Sequence, residues 1–514
     1  MFLDNFNVSH KILYFSPSLA IGLAFVTAYL YALVWKRRWG GLHRIPGPFL
    51  AGVSDLWRWN AVWHEDVHLR SLKLHNKYGP LVRIGPKCVS VSSPEGIQAI
   101  YLNKKGFQKA PMYGILQPML DGSPLHNIFS TSDIGYHSAL KKTIGTLYTF
   151  SALKNIQHNL DRCVALLVDQ LGDIVRAGPT RIDMSAWLQF YTFDSLGEVN
   201  FSQRMGFLET GTDLDGICEL DHHLMRHFGL WGQVPQFEKV VAKWKSFAGY
   251  RVTKPNPLFK FTLDIIENRI KSPTDSVDIL NKFLQLHEAA PDRLPRKDLT
   301  AAIYINVVTA HDVIAITLRA VLYYLCRNPR VCEKLDKEIS TAAKLGKLST
   351  PARYHEVSSM IYLSAIIDET LRIHPSTGII FERVVPSGGI SLHGTHIPEN
   401  TIVGANAWVT NRNKEIFGDD IECFRPERWI GVTQDRMVEM RKSILTWGAG
   451  ARVCIGKNLA LMQIAPAITE LYRNFDIRLA DPGKEWRVSG GWLTRQTRMD
   501  MVVSHKNQDL KYGL

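Results

Sequence analysis

The segment Trp447-Gly448-Ala449-Gly450-Ala451-Arg452-Val453-Cys454-Ile455-Gly456 carries the most specific chemical signal in the chain. It fits aromatic-G-x-G-x-R-x-C-x-G, for which a chance match in a chain this long is on the order of one in 10⁵. A cysteine binds a metal as thiolate, and the metal's charge lowers its pKa until that form dominates. On porphyrin iron a thiolate pushes electron density onto the metal and favours O–O cleavage. Glycines let the backbone turn tightly and approach a flat ring closely. The N–H groups freed by such a turn can bond the sulfur and tune the metal's potential. The apolar-periodic run Leu459, Ala460, Met462 and Ile464 follows at once, so a helix N-terminus would help stabilise an anion at Cys454. Arg452 offers a planar fork of donors suited to a propionate. The competing reading is a structural cysteine beside a Gly-rich loop.

Two further charged groupings matter. Glu369 and Arg372 are spaced i, i+3 in a helical run ending at Pro375, so carboxylate and guanidinium share a face. Such a pair alone is usually a solvated surface contact. Downstream, Phe424-Arg425-Pro426-Glu427-Arg428-Trp429 places another arginine, Arg428, before the cysteine loop.

The elements that must position these groups are mostly helical. Apolar-periodic stretches at 152–176, 257–270, 298–327, 329–345 and 457–474 predict helices, with a corner at Asn328-Pro329. Leu81–Ile84 and Cys88–Ser92 alternate around Gly85-Pro86-Lys87 and predict a strand pair. Short strands are expected over 379–410, including Thr401–Val409, and again over 475–503. No parallel βαβ series is visible. The fold class is mainly α with small β-sheets (α+β), in one large domain over 49–514.

Residues 12–35 contain no charged side chain, and 24 helical residues span about 36 Å, enough for a hydrocarbon core of roughly 30 Å. Lys36, Arg37 and Arg38 follow, which by the positive-inside rule keeps the body cytosolic and places the tail 1–11 on the far side. Tyr29, Tyr31, Trp35 and Trp39 suit an interfacial belt. A cleaved signal peptide fits less well, because Asp4 and a lone Lys11 precede the apolar run and no small-residue cleavage site follows it. Asn7 in Asn7-Val8-Ser9 is a glycosylation acceptor pattern very close to the membrane. The prolines of Ile45-Pro46-Gly47-Pro48 stiffen a basic linker over 36–48.

A formal charge of +13 is compatible with nucleic acid, an anionic membrane or an acidic protein. The absence of zinc-finger spacing, helix-turn-helix and RNP-type motifs argues against nucleic acid. Seven scattered cysteines without CxxC pairs argue against a disulfide scaffold and for a reducing compartment.

The cysteine loop resembles the haem-binding loop of the cytochrome P-450 superfamily, with Trp447 where phenylalanine is usual. With Glu369/Arg372 and Arg428 in family order, the resemblance covers roughly residues 45–505, and it extends to fungal pisatin demethylase-like members of secondary metabolism. It implies a cytochrome P-450 fold with an N-terminal transmembrane helix in the endoplasmic reticulum, single-pass and cytosol-facing. It implies haem b with Cys454 as axial ligand, and a loop built by Trp447, Gly448, Gly450 and Gly456. Propionates would be held by Arg452, His137, Lys141 (where arginine is usual) and Arg383. Glu369, Arg372 and Arg428 would brace the loop. A hydrophobic substrate would meet Tyr113, Leu116, Ile303, Ile379, Phe381 and Trp492. Electrons would come from NADPH through a separate flavoprotein reductase, with cytochrome b5 as a second donor, since there is no GxGxxG and no length for a flavin domain. Lys141, Lys142, Arg441, Lys442 and Lys457 are candidates for its docking face.

One departure stands out. Where the family has A-G-x-D/E-T, this chain has Thr309-Ala310-His311-Asp312-Val313. Asp312 keeps the acid, but valine neither donates nor accepts a hydrogen bond. Three readings stay open: a substrate hydroxyl completes the proton relay, Thr309 one turn earlier substitutes, or the enzyme performs dehydration, rearrangement or oxidative coupling. A non-catalytic haem-binding member is the alternative of a different class.

Overall fold

The structure is a computed structural model that describes residues 17–103, 106–238, 240 and 257–506. The tail 1–11, Asn7 and the first part of the expected anchor, 12–16, lie outside the described residues. From Pro17 the chain is a helix, α1 (Pro17–Arg38). Val26, Tyr29, Tyr31, Val34 and Trp35 on it are all exposed. Within the segment 36–48, expected as a stiff linker, residues 39–46 pack onto the body. Its turn Trp39–Arg44 buries Leu42, Ile45 follows into the same core, and the Arg83 amide donates to the Pro46 carbonyl at 2.8 Å. Two apolar side chains gain burial that a free linker would forgo.

Apolar periodicity becomes helix at Gln157–Ile174, Pro257–Lys271 and Pro329–Lys344. The helices nearest the cysteine loop are α2 (Ile134–Ile144), α3 (Met184–Phe201), α4 (Ile217–Trp231), α5 (Arg296–Thr309), α6 (Asp312–Arg327), α7 (Ile361–Ile373) and α8 (Lys457–Asn474). The run α5–α6 is long and apolar enough to cross a membrane, but 78% of its apolar window is buried inside the body, which makes it a core element.

The single helix expected over 298–327 is therefore two, parted at Ala310-His311. The backbone ladder resumes with Ile314 and Ala315 N–H both donating to the His311 carbonyl, at 3.1 and 3.0 Å. No glycine allows this break, so side chains must hold it. The fully buried His311 ring stacks on Phe193 of α3, centroids 4.0 Å apart. Asp312 is anchored by Gln189 of α3 at 3.0 Å and by Arg495.

Strands β1 (Leu81–Gly85), β2 (Cys88–Val91), β3 (Gln108–Lys109), β4 (Arg383–Val384) and β5 (Ile402–Gly404) form one sheet in the order β1-β2-β5-β4-β3. Only β2 and β5 run parallel. The register sets Lys109 directly opposite Arg383. A hairpin of β6 (Arg487–Gly490) and β7 (Thr494–Thr497) carries Trp492 at its turn. The strand expected to run on to Val409 stops at Gly404. Asn406 caps a helical turn over Ala407–Thr410, its Oδ1 accepting from the Trp408 amide at 2.9 Å. That side-chain capture of an amide outcompetes the strand pattern.

Glu369, Arg372 and Arg428 are brought together and buried. Arg372 donates twice to Glu369, at 2.8 and 2.9 Å, and Arg428 donates at 3.4 Å. The Trp429 indole and the Arg425 amide complete the carboxylate's partners at 2.9 and 3.0 Å. Arg428 is shared with Asp420, 2.7 Å away, a partner the sequence did not announce. Arg428→Ala takes one donor from the buried Glu369 and one from the half-exposed Asp420, and the expected loss is about 3 kcal/mol of unfolding free energy, the low end for a broken buried pair. An unchanged urea midpoint would show that the network adds nothing to stability.

Candidate active site

A cavity of about 290 Å³ lies between the cysteine loop and the break in the central helix. Its wall includes Cys454 and Gly456 on one side and Thr309, Ala310, Asp312 and Val313 on the other. The Cys454 amide donates to the Trp447 carbonyl at 2.8 Å, closing the loop. Gly450 has φ +63°, and a Cβ there would sit 2.0 Å from the Tyr101 carbonyl oxygen, so no side chain fits. Gly448 has φ +69°. Burial pushes the Cys454 thiol up, while the Gly456 and Lys457 amides and the Lys141 and Lys457 ammonium groups pull it back. The sulfur is thus prepared for an anion that only a bound cation would complete.

Positive charge crowds one end of this cavity. Lys109, His137, Arg383 and Arg452 all line it. Like charges directly opposite in a sheet destabilise it, yet Lys109 and Arg383 are cross-strand partners and both are buried. Burial together with Arg452, Lys141, Lys109 and Arg383 lowers the His137 pKa to about 3. Burial and Arg383 lower Arg452 to about 10, and burial with Arg383 and Arg452 holds Lys109 well below the usual lysine range. A cluster so costly to charge is the complement of a buried dianion. Lys109 was missed in the sequence, where it stands beside Gln108 in a two-residue strand with no pattern to mark it. Lys141, expected at a propionate, also lines the cavity. Its ammonium donates to the Ala451 carbonyl at 2.6 Å and so supports the cysteine loop from α2.

On the opposite wall Thr309 turns its hydroxyl back to the Ile305 carbonyl at 2.7 Å, so its proton is committed to the helix. Asp312 lines the cavity and is held by Gln189 and Arg495. Among the residues expected at the substrate, Tyr113, Phe381 and Trp492 line the cavity. Leu116, Ile303 and Ile379 do not. They are buried in the helix core beneath it, because apolar character alone does not distinguish a wall from the packing behind it. Trp492 lies 6.3 Å from Tyr113 and 6.4 Å from Phe381 between centroids, and it also gathers two neighbours the sequence did not connect, Phe228 at 4.9 Å and Phe129 at 5.9 Å. A hydrogen-bonded string of Tyr148, Asn306 and Asn200, at 3.0 and 3.1 Å, also lines the wall.

A thiol facing the helix break and a buried cationic cluster at one end fit haem, whose iron takes a thiolate and whose two propionates match the positive charge. The sequence profile of the cytochrome P-450 family matches residues 54–502. This chain belongs to the cytochrome P-450 family. It is 32% identical over 507 residues to the cytochrome P-450 monooxygenase asR2 of Sarocladium schorii, covering 95% of this chain and 97% of that one. To the monooxygenase pkfB of Emericella nidulans it is 33% identical over 500 residues, 95% of each. With mpaDE of Penicillium roqueforti it shares 33% identity over 472 residues, 90% of this chain but 55% of that longer protein. The chain is a cytochrome P-450 monooxygenase, and the family's cofactor is haem b. When bound, haem supplies oxygen activation and the one-electron redox steps. Cys454 would ligate the iron, and Arg383, Arg452, His137 and Lys109 would hold the propionates.

Cys454→Ala is expected to abolish the thiolate signature in the reduced carbon-monoxide spectrum; its survival would remove Cys454 from the iron. Val313→Thr restores a hydroxyl at the helix break, and hydrogen peroxide released per NADPH is expected to fall at least about twofold, well inside the roughly 10²–10⁴-fold that a positioned proton donor contributes. Equal peroxide yield would show that proton supply does not pass this position.

Proposed function

We propose that this cytochrome P-450 inserts one oxygen atom into a bulky hydrophobic natural product of secondary metabolism. The overall stoichiometry is substrate, O₂, NADPH and one proton giving hydroxylated product, water and NADP⁺. The observation that carries the reading is the aromatic wall around Trp492, which shares the cavity with the thiol. Such a wall recognises ring systems by shape and edge-to-face contact rather than by charge. The fungal relatives that carry the name monooxygenase support the same reading.

In this proposal α1 and the residues before it form a single-pass anchor in the endoplasmic reticulum, and the body from 49 onward works in the cytosol. The exposed apolar side chains of α1 and the basic Lys36-Arg37-Arg38 cluster at its C-terminal end support that orientation. An NADPH-dependent flavoprotein reductase, with cytochrome b5 as a second donor, would dock near Lys141, Lys142, Arg441, Lys442 and Lys457. Glu369, Arg372 and Arg428 hold the loop, and Asp312 with Thr309 faces the oxygen side.

A second reading keeps a specific observation behind it. Val313 has no hydroxyl, and that of Thr309 is committed to Ile305, which suits a rearrangement, dehydration or coupling reaction that inserts no oxygen. Isotopic oxygen separates the two. With the intermediate that accumulates in a deletion strain as substrate, ¹⁸O₂ is expected to leave one labelled atom in the product. Conversion without label would replace hydroxylation by the second reading.

A further inference from the structure

Phe381, Glu382 and Arg383 are consecutive, yet only the outer two line the cavity, as alternation along an extended segment requires. Phe381 belongs to the aromatic wall and Arg383 to the cationic cluster. Between them the Glu382 side chain turns into the body, where it is 1% exposed. Its carboxylate accepts from Arg58, itself 5% exposed, on the short helix Leu56–Trp63. Asp55 lies 3.6 Å from the same guanidinium. Burial pushes the Glu382 carboxyl up, and Arg58 pulls it back. A carboxylate this far from water is held in its charged form only by such a partner.

The backbone on either side of Glu382 is pinned as well. The Tyr101 hydroxyl donates to the Phe381 carbonyl at 2.6 Å and accepts from the Ala405 amide at 2.8 Å. The Phe381 amide donates to the Ala405 carbonyl at 3.0 Å. A Cβ on Gly404 would sit 2.9 Å from the Phe381 carbonyl oxygen, so the two segments pack without slack. Arg383 lies over the Tyr101 ring, 5.2 Å from its centroid, and donates to the Glu382 carbonyl at 2.8 Å. The guanidinium that faces the cavity therefore rests on the residue that Arg58 holds.

We propose that Arg58 is a positioning residue for the cofactor site: by holding Glu382 it fixes where Arg383 meets a propionate and where Phe381 stands in the aromatic wall. Arg58 does not line the cavity, and it acts on a residue 324 positions away in the chain. Without its guanidinium the buried carboxylate must take up a proton or move toward water or another cation. Movement of Glu382 displaces the residues on both sides of it. The other groups that feel the pair are the Cys88 thiol of β2 and the Tyr101 and Tyr113 hydroxyls. Burial pushes all three up, so they stay neutral and offer Glu382 no substitute cation. The inference rests on Arg383 as a propionate partner and not on which substrate is oxidised.

In the full-length, haem-loaded enzyme two readings test this: the rate at which haem passes to excess apomyoglobin, and the midpoint potential of the iron. Arg58→Met is expected to speed haem transfer about tenfold, the low end for losing a partner behind a cofactor-binding group. The potential is expected to fall, because a displaced Arg383 stabilises the extra electron less. Adding Glu382→Gln to Arg58→Met removes the charge that has to move, and both readings are expected to return toward wild type. Damage to packing alone would not be reversed in this way. Arg58→Lys keeps a cation in place and is expected to fall between wild type and Arg58→Met. Arg383→Gln checks the premise separately, and transfer unchanged in that variant overturns the proposal. So does wild-type transfer in Arg58→Met, or fast transfer that the second substitution leaves in place. An Arg58→Met enzyme too unstable to hold haem counts as fast transfer, and the double variant decides the matter.

Discussion

The cysteine loop is held by one carboxylate. Glu369 accepts from Arg372, Arg428, the Trp429 indole and the Arg425 amide, all in a setting without solvent. A buried carboxylate is tolerated only when its lone pairs are filled, so these donors fix the segment 425–429 against α7. From there the order propagates. Arg372 reaches the carbonyl of Asn411 at 3.3 Å, and the Asn411 side chain accepts from the Leu445 amide and donates to Thr446. Leu445 and Thr446 open the cysteine loop. Cys454 is therefore positioned by a chain of hydrogen bonds that begins one helix away.

The opposite constraint acts at the far end of the cavity. Lys109, Arg383 and Arg452 repel one another and, together with burial, keep His137 uncharged. The fold bears that cost because sheet register and helix phase place these groups before any ligand arrives. The same repulsion is what a pair of propionates would relieve. Stability conceded at the site becomes affinity for a dianion.

Between these two regions runs the broken helix. The amino acids that the family uses to open it, glycine and threonine, are alanine and valine here, yet the break is present. Its support is tertiary, from His311 packed on Phe193 and Asp312 held by α3 and β7. A local sequence departure was absorbed by contacts from residues more than a hundred positions away.

The cysteine loop was legible from sequence because its constraint is local: a tight turn, a forked cation and a thiol within ten residues. The same holds for the i, i+3 pair of Glu369 and Arg372 and for the long amphipathic helices, whose periodicity records a buried face. What tertiary structure decided were relations between distant segments. Lys109 became part of the cationic cluster through strand pairing with Arg383, and Asp221 and Arg495 met Asp312 from a helix and a hairpin. Leu116, Ile303 and Ile379 fell behind the wall and Phe129 and Phe228 into the aromatic group, because hydrophobic burial has no direction in a sequence. Lys141 turned to the Ala451 carbonyl, since a flexible ammonium takes the acceptor the packing leaves within reach. Chain chemistry named the thiolate site; the three-dimensional packing chose its neighbours.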